Sequence, residues 1–201
     1  MVGSLGCGGC GGKQRGQVIR NTGSDTLVNV AQRWSEEYRH VLPGVSVEVS
    51  GGGSGVGINA LIRGEIDIAN ASRDMTAAER QKIHDKTGKD PVEHIVGYDA
   101  LAVYVHKDNP IGELTMGQLE AIFEKDGAIT RWSQLGVTIP GGNDEIVVVG
   151  RQNSSGTYQF FNEHVLNKKD FRPEVKQMSG SKDVVELVGK TRGAIGYSGM
   201  G

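Results

Sequence analysis

The sequence predicts an α/β fold with mostly parallel sheets, and three observations carry that expectation. Short β-branched runs alternate with segments of helical spacing along most of the chain. Several of these runs lead directly into turns rich in Gly, Ser and Thr. The longest apolar stretches, such as 100–105 and 146–149, fall far short of 18 residues and suit buried strands, not a membrane span.

Taken in order, the runs 18–20, 45–49, 66–69, 95–106, 146–149, 175–178 and 194–197 read as strands. Between the first two, Leu27, Val30, Ala31, Trp34 and Tyr38 recur at helical spacing. Thr76-Ala-Ala-Glu79 and Thr115-Met-Gly-Gln118 have the form of capping boxes that open two further helices. Tyr158, Phe161 and Val165 mark another helix, and Val184, Val185 and Val188 a short one. Trp34 and Trp132 read as packing residues. The run 95–106 is long enough to cross between two lobes.

With 201 residues the chain has room for one domain or two small ones. It carries 22 basic against 24 acidic residues, a formal charge of −2. That balance excludes a nucleic-acid binder driven by global positive charge, and equally an acidic disordered tail. Glycine is abundant, 31 residues, about twice the average usage. It follows no Gly-X-Y period, so collagen is excluded.

Both cysteines, Cys7 and Cys10, lie in a Gly-rich leader over 1–15. A C-x-x-C pair there lacks the βαβ context of a redox motif, and no second ligand pair completes a zinc site. Small residues ending in Cys resemble a lipoprotein maturation site, which makes Cys7 or Cys10 a candidate lipid anchor, although no charged and apolar signal regions precede them. The simpler reading of 1–15 is a flexible tether.

The informative regularity sits between strand and helix. Four strands run into Thr22-Gly23-Ser24-Asp25-Thr26, Ser50-Gly51-Gly52-Gly53-Ser54-Gly55, Asn70-Ala71-Ser72-Arg73-Asp74 and Arg151-Gln152-Asn153-Ser154-Ser155-Gly156-Thr157. The start of a helix has unpaired N–H groups and a positive dipole end, which attract anions. Glycine lets the backbone approach a ligand, and hydroxyls add donors without charge. In α/β folds such turns gather at the carboxyl ends of the strands. Any one of them is explained by N-capping alone. Four together, the last led by Arg151, favour a largely uncharged oxyanion cage with one cation.

Competing motifs are weaker. Gly57 is followed by Ile58 where a phosphate-binding P-loop requires lysine. Gly55-Val56-Gly57-Ile58-Asn59-Ala60 fits the dinucleotide pattern G-x-G-x-x-A and keeps a dinucleotide-binding enzyme as one alternative. No G-x-S-x-G elbow is present.

From about Val18 to Gly201 the chain resembles the periplasmic phosphate-binding proteins of bacterial phosphate ABC transporters, within the type II solute-binding proteins. The resemblance rests on Gly23-Ser24-Asp25-Thr26, Gly53-Ser54-Gly55, Ile66-Asp67-Ile68-Ala69 leading into Ala71-Ser72-Arg73, and Thr130-Arg131-Trp132-Ser133. Its most specific parts are Arg151 to Thr157 together with Gly193-Ala194-Ile195-Gly196-Tyr197.

The resemblance implies a two-lobed type II periplasmic-binding-protein fold that closes over inorganic phosphate without chemistry or cofactor, and hands it to ABC permease subunits. It implies a place in the periplasm or at the cell surface; with no long apolar stripe left over for an interface, a monomer is the expectation. The lobes would be 16–95 and 96–192, with 193–201 starting a return crossing to a first lobe left incomplete. Ser24, Thr26 and the backbone at Leu27 would form one wall, Ser54 with Gly53 and Gly55 a second. Arg151, Ser155, Gly156 and Thr157 would form the opposite wall. Asn153 stands where some members carry an Asp that holds the arginine. Ser72-Arg73 stands where many carry Ser-Asp, whose carboxylate accepts the proton of hydrogen phosphate and repels sulfate. That leaves Asp74, Asp99 or no acid in the acceptor role, and keeps sulfate, molybdate or tungstate as alternatives. Arg73 either joins the anion site or pairs with Asp99.

Overall fold

The computed structural model describes residues 16–141 and 143–200, so the expectations for the leader and its two cysteines lie outside the described residues. The first half of the chain runs β1 (Gln17–Gly23), α1 (Val28–Val41), β2 (Val45–Ser50), α2 (Ser54–Arg63), β3 (Ile68–Asn70) and α3 (Ala77–Thr87). The second half runs β4 (Leu101–Val105), α4 (Met116–Phe123), a 3₁₀ turn at Trp132–Leu135, β5 (Val147–Arg151), α5 (Gly156–His164), β6 (Lys176–Met178), α6 (Ser181–Lys190) and β7 (Ala194–Gly199).

The strands form two sheets, β2-β1-β3 and β4-β7-β5-β6. The first is entirely parallel. In the second, only the β4–β7 pair is antiparallel. This is the expected α/β architecture, with one sheet in each lobe. No helix among the described residues is long and apolar enough to cross a membrane.

Local chemistry starts the helices where the sequence predicts. Thr76 and Thr115 each accept a hydrogen bond from the N–H three positions on, and their own N–H groups donate to the Glu79 carboxylate and the Gln118 Oε1. Such caps contribute about 1 kcal/mol each. α2 begins without a side-chain cap, after Gly53 at φ 99°, a backbone conformation that disfavours any other residue.

Two expectations are corrected. Of the predicted strand 95–106 only Leu101–Val105 is extended and paired. Ile95, Val96 and Tyr98 are exposed and have no neighbouring strand among the described residues, and β propensity without a partner does not make a strand. The segment 193–201, expected to begin a return to the first lobe, supplies β7, an interior strand of the second sheet between β4 and β5.

The core sits around the second sheet. Phe123, Trp132, Phe161, Ile195 and Tyr197 are fully buried there, with the Phe161 and Tyr197 rings stacked at 3.9 Å. Trp132 donates its indole N–H to the Gly193 carbonyl at 2.9 Å, which satisfies its one polar atom. Trp34, by contrast, is half exposed and is not a core residue.

Candidate anion-binding site

The four turns follow the carboxyl ends of β1, β2, β3 and β5. In the first lobe they are bonded to one another. The Ser24 N–H donates to the Asn70 carbonyl at 2.9 Å, tying the turn after β1 to the end of β3. The Gly53 N–H donates to the Gly23 carbonyl at 2.9 Å, bringing in the turn after β2. Ser54 is fully buried at the first position of α2. Its Oγ accepts from the Ser72 N–H at 3.1 Å and lies 3.2 Å from the Ser72 Oγ.

The second lobe presents Arg151, the last residue of β5, and the start of α5. Ser155 caps that helix by accepting from the Thr157 N–H at 3.1 Å. Ser155 and Thr157 are both buried. A Cβ on Gly156 would stand 2.3 Å from the Ser72 Oγ and 2.9 Å from the Ser54 Oγ, so the lobes meet here and only glycine fits without displacement. Two further bonds cross between them: the Gly55 N–H donates to the Ser154 carbonyl at 3.0 Å, and the Ser154 Oγ donates to the Gly52 carbonyl at 3.1 Å. Ser54 and Gly156 are the first residues of α2 and α5, so their N–H groups have no acceptor inside the helix.

Arg151 is 1% exposed, unusual for a guanidinium. Its Nη1 donates to the Ser181 Oγ at 3.0 Å, and its Nη2 to the Ser179 carbonyl at 2.7 Å and to the Asp25 carboxylate at 3.2 Å. Its Nε is buried without an acceptor. Burial pulls the Arg151 pKa below the ordinary arginine value, and the Asp25 charge opposes that shift. The Tyr104 hydroxyl donates to the Ser198 Oγ at 2.9 Å. Its pKa is raised chiefly by burial, against the effect of that hydrogen bond.

The other anticipated residues divide. Thr26 and Asp99 lie together beside Gly199, where an added Cβ would meet the Asp99 Oδ2 at 2.5 Å and the Thr26 Cγ2 at 3.3 Å. The Leu27 N–H, expected to face a ligand, is instead spent on the Ser24 carbonyl at 3.1 Å. Arg73 forks onto Glu79, with Nη1 and Nη2 at 2.9 and 2.8 Å from its two oxygens. The hydrogen bond from Arg73 takes the Glu79 pKa down to about 2, against burial, which acts to raise it. Asn153 is exposed.

Asp25, which does hold the arginine, was legible only as part of the first turn. Ser179 and Ser181 carried no signal of their own. Gly55 and Gly57 fall inside α2, with the Gly57 N–H bonded to the Gly53 carbonyl at 3.2 Å. The G-x-G-x-x-A match is therefore helix, not the open strand-to-helix turn that a dinucleotide requires.

Comparison with known proteins agrees with this architecture. The sequence model of the PBP superfamily domain matches residues 11–201. The phosphate-binding protein PstS of Pseudomonas aeruginosa is 39% identical over 189 residues, covering 91% of this chain and 58% of that protein. Protein SphX of Synechococcus elongatus is 35% identical, covering 91% of this chain and 54% of its own length. The chain thus spans little more than half the length of these curated relatives. Among solved structures, a candidate phosphate ABC transporter substrate-binding protein with bound phosphate from Clostridium perfringens matches at 32% identity. Its TM-score is 0.75, over 92% of this chain and 71% of that one. An ABC-type phosphate transport receptor from Vibrio cholerae matches with a TM-score of 0.67 and 27% identity, over 92% of this chain and 72% of that one.

Proposed function

The chain belongs to the PBP superfamily, and we propose that it binds inorganic phosphate outside the cytoplasmic membrane for delivery to an ABC permease. The observation that carries this reading is Arg151: a guanidinium 1% exposed, with a buried Nε that has no acceptor. A buried donor on a cation, left unpaired, is costly unless an anion completes it. Around it the sequence supplies hydroxyls and helix-terminal N–H groups and few charges, the composition of a site that strips water from a small oxyanion. Ser24, Thr26, Ser54, Ser72, Ser155, Gly156 and Thr157 are the further ligands in this reading. Arg73 is a support, because its two terminal nitrogens are committed to Glu79.

Capture works by closure: each lobe contributes part of the hydrogen-bonding shell, so a bound anion stabilises the closed form over the open one. Nothing in this cycle needs a chemical step, in keeping with relatives that are named as phosphate-binding proteins. A lipid anchor at Cys7 or Cys10 and a monomeric state complete the proposal.

Titration calorimetry tests it. Phosphate should give binding heat that survives an excess of sulfate. Equal competition by sulfate would replace phosphate with a general oxyanion as the ligand. Binding of NAD in place of either anion would overturn both.

A further inference from the structure

The arginine of the site is held from the opposite side of the cleft. Within its own lobe Arg151 touches only neutral acceptors, the Ser179 carbonyl and the Ser181 hydroxyl. Among the described residues the carboxylate in contact with it is Asp25, 126 positions away on the first lobe, at 3.2 Å. Asp183 acts on the guanidinium only through space. Asp25 is itself fixed: its Oδ1 accepts from the Gly52 N–H at 2.8 Å. It sits in a glycine cradle, since a Cβ on Gly51 would come within 2.5 Å of that same oxygen.

We propose that Asp25 is the positioning residue of the site, and that it holds Arg151 through an ion pair spanning the cleft. The guanidinium is then compensated only when the lobes are together. Opening the cleft exposes both partners to water, and closing it without Asp25 strands a buried charge. The ion pair favours closure before any anion arrives and presents an arginine whose Nη groups are already committed, leaving Nε for the ligand. Placing the carboxylate on the first lobe makes arginine orientation and lobe closure one event. The inference uses the anion-site reading only to name what Nε receives; the latch itself is a property of the unliganded chain.

The test measures the distance between spin labels on Val41 of α1 and Lys182 of α6, both exposed, in a Cys7→Ser, Cys10→Ser background. Without phosphate, the background protein should show the short, closed distance in a measurable fraction of molecules beside the open one. Asp25→Asn should raise the open-to-closed ratio about tenfold, the scale of a lost charge-assisted bond. Ser154→Ala, which removes an uncharged link across the same cleft, should change the ratio far less. Raising the salt concentration should open the background protein and leave Asp25→Asn unchanged, and this comparison in the background protein stands even if a variant folds poorly. Adding phosphate should close Asp25→Asn again, because the anion replaces the missing negative charge. Identical anion-free distances in the background protein and Asp25→Asn would overturn the latch, as would equal opening by Ser154→Ala. A background protein that closes by itself but ignores phosphate would instead overturn the functional reading and leave the latch standing.

Discussion

The lobe built on the second sheet buries Phe123, Trp132, Phe161 and Tyr197 almost completely, whereas the lobe built on the first buries nothing larger than Ile58 and Ile83. On the first lobe Val18, Trp34 and Ile68 are 43%, 48% and 44% exposed. Both hydrophobic clusters of the described residues belong to the second lobe. The chemistry divides along the same line. The well-packed lobe carries the buried cation, which needs a dry and immobile setting to hold its geometry. The loosely packed lobe carries small hydroxyls and glycine turns, which solvate easily when the cleft opens.

Loss of a core ring should strike the second lobe hardest. Phe161→Ala should lower unfolding free energy by about 3–5 kcal/mol in urea titration. Ile83→Ala in the first lobe should cost about 2 kcal/mol, and an equal loss at the two positions would end the distinction. Next in size, Arg151→Ala should weaken phosphate binding about a hundredfold or more in calorimetry while leaving the fold intact. Unchanged affinity would place the anion elsewhere.

Gly156→Ala should weaken binding about tenfold, because its methyl group meets the Ser72 and Ser54 hydroxyls where the lobes join. Smaller still is the Arg73–Glu79 pair. Glu79 titrates at about 2, below its unfolded value, so its contribution is complete above that unfolded value and disappears as pH falls through about 2. Glu79→Gln should cost about 1–2 kcal/mol near neutrality and flatten stability across that acidic window. Tyr98→Ala, at a residue 95% exposed, should change stability by less than about 0.5 kcal/mol.

Much of this architecture was legible in the residues because it is local. Thr76 and Thr115 announced their helices through the spacing to Glu79 and Gln118, and the strand-to-helix turns marked out the segments that the fold brings side by side. What escaped depended on partners distant in sequence. Ile95, Val96 and Tyr98 have strand composition but no strand beside them. Asp25 stood out only as a member of the first turn, and its contact with Arg151 exists only once two lobes are assembled. The Arg73–Glu79 pair lay closer to hand: Glu79 was already placed by its capping box, and an arginine six residues before it was within reach.

The position of β7 bears on how the molecule comes to be folded. Its neighbours are β4, with Leu101 opposite Gly199, and β5, with Val147 opposite Ala194. During synthesis β4 and β5 emerge first, each with an edge that residues 194–199 later cover. The second lobe therefore closes its sheet through two late, long-range pairings of one strand, a slow and entropically costly step. Until then, two bare strand edges face the solvent as templates for misassembly.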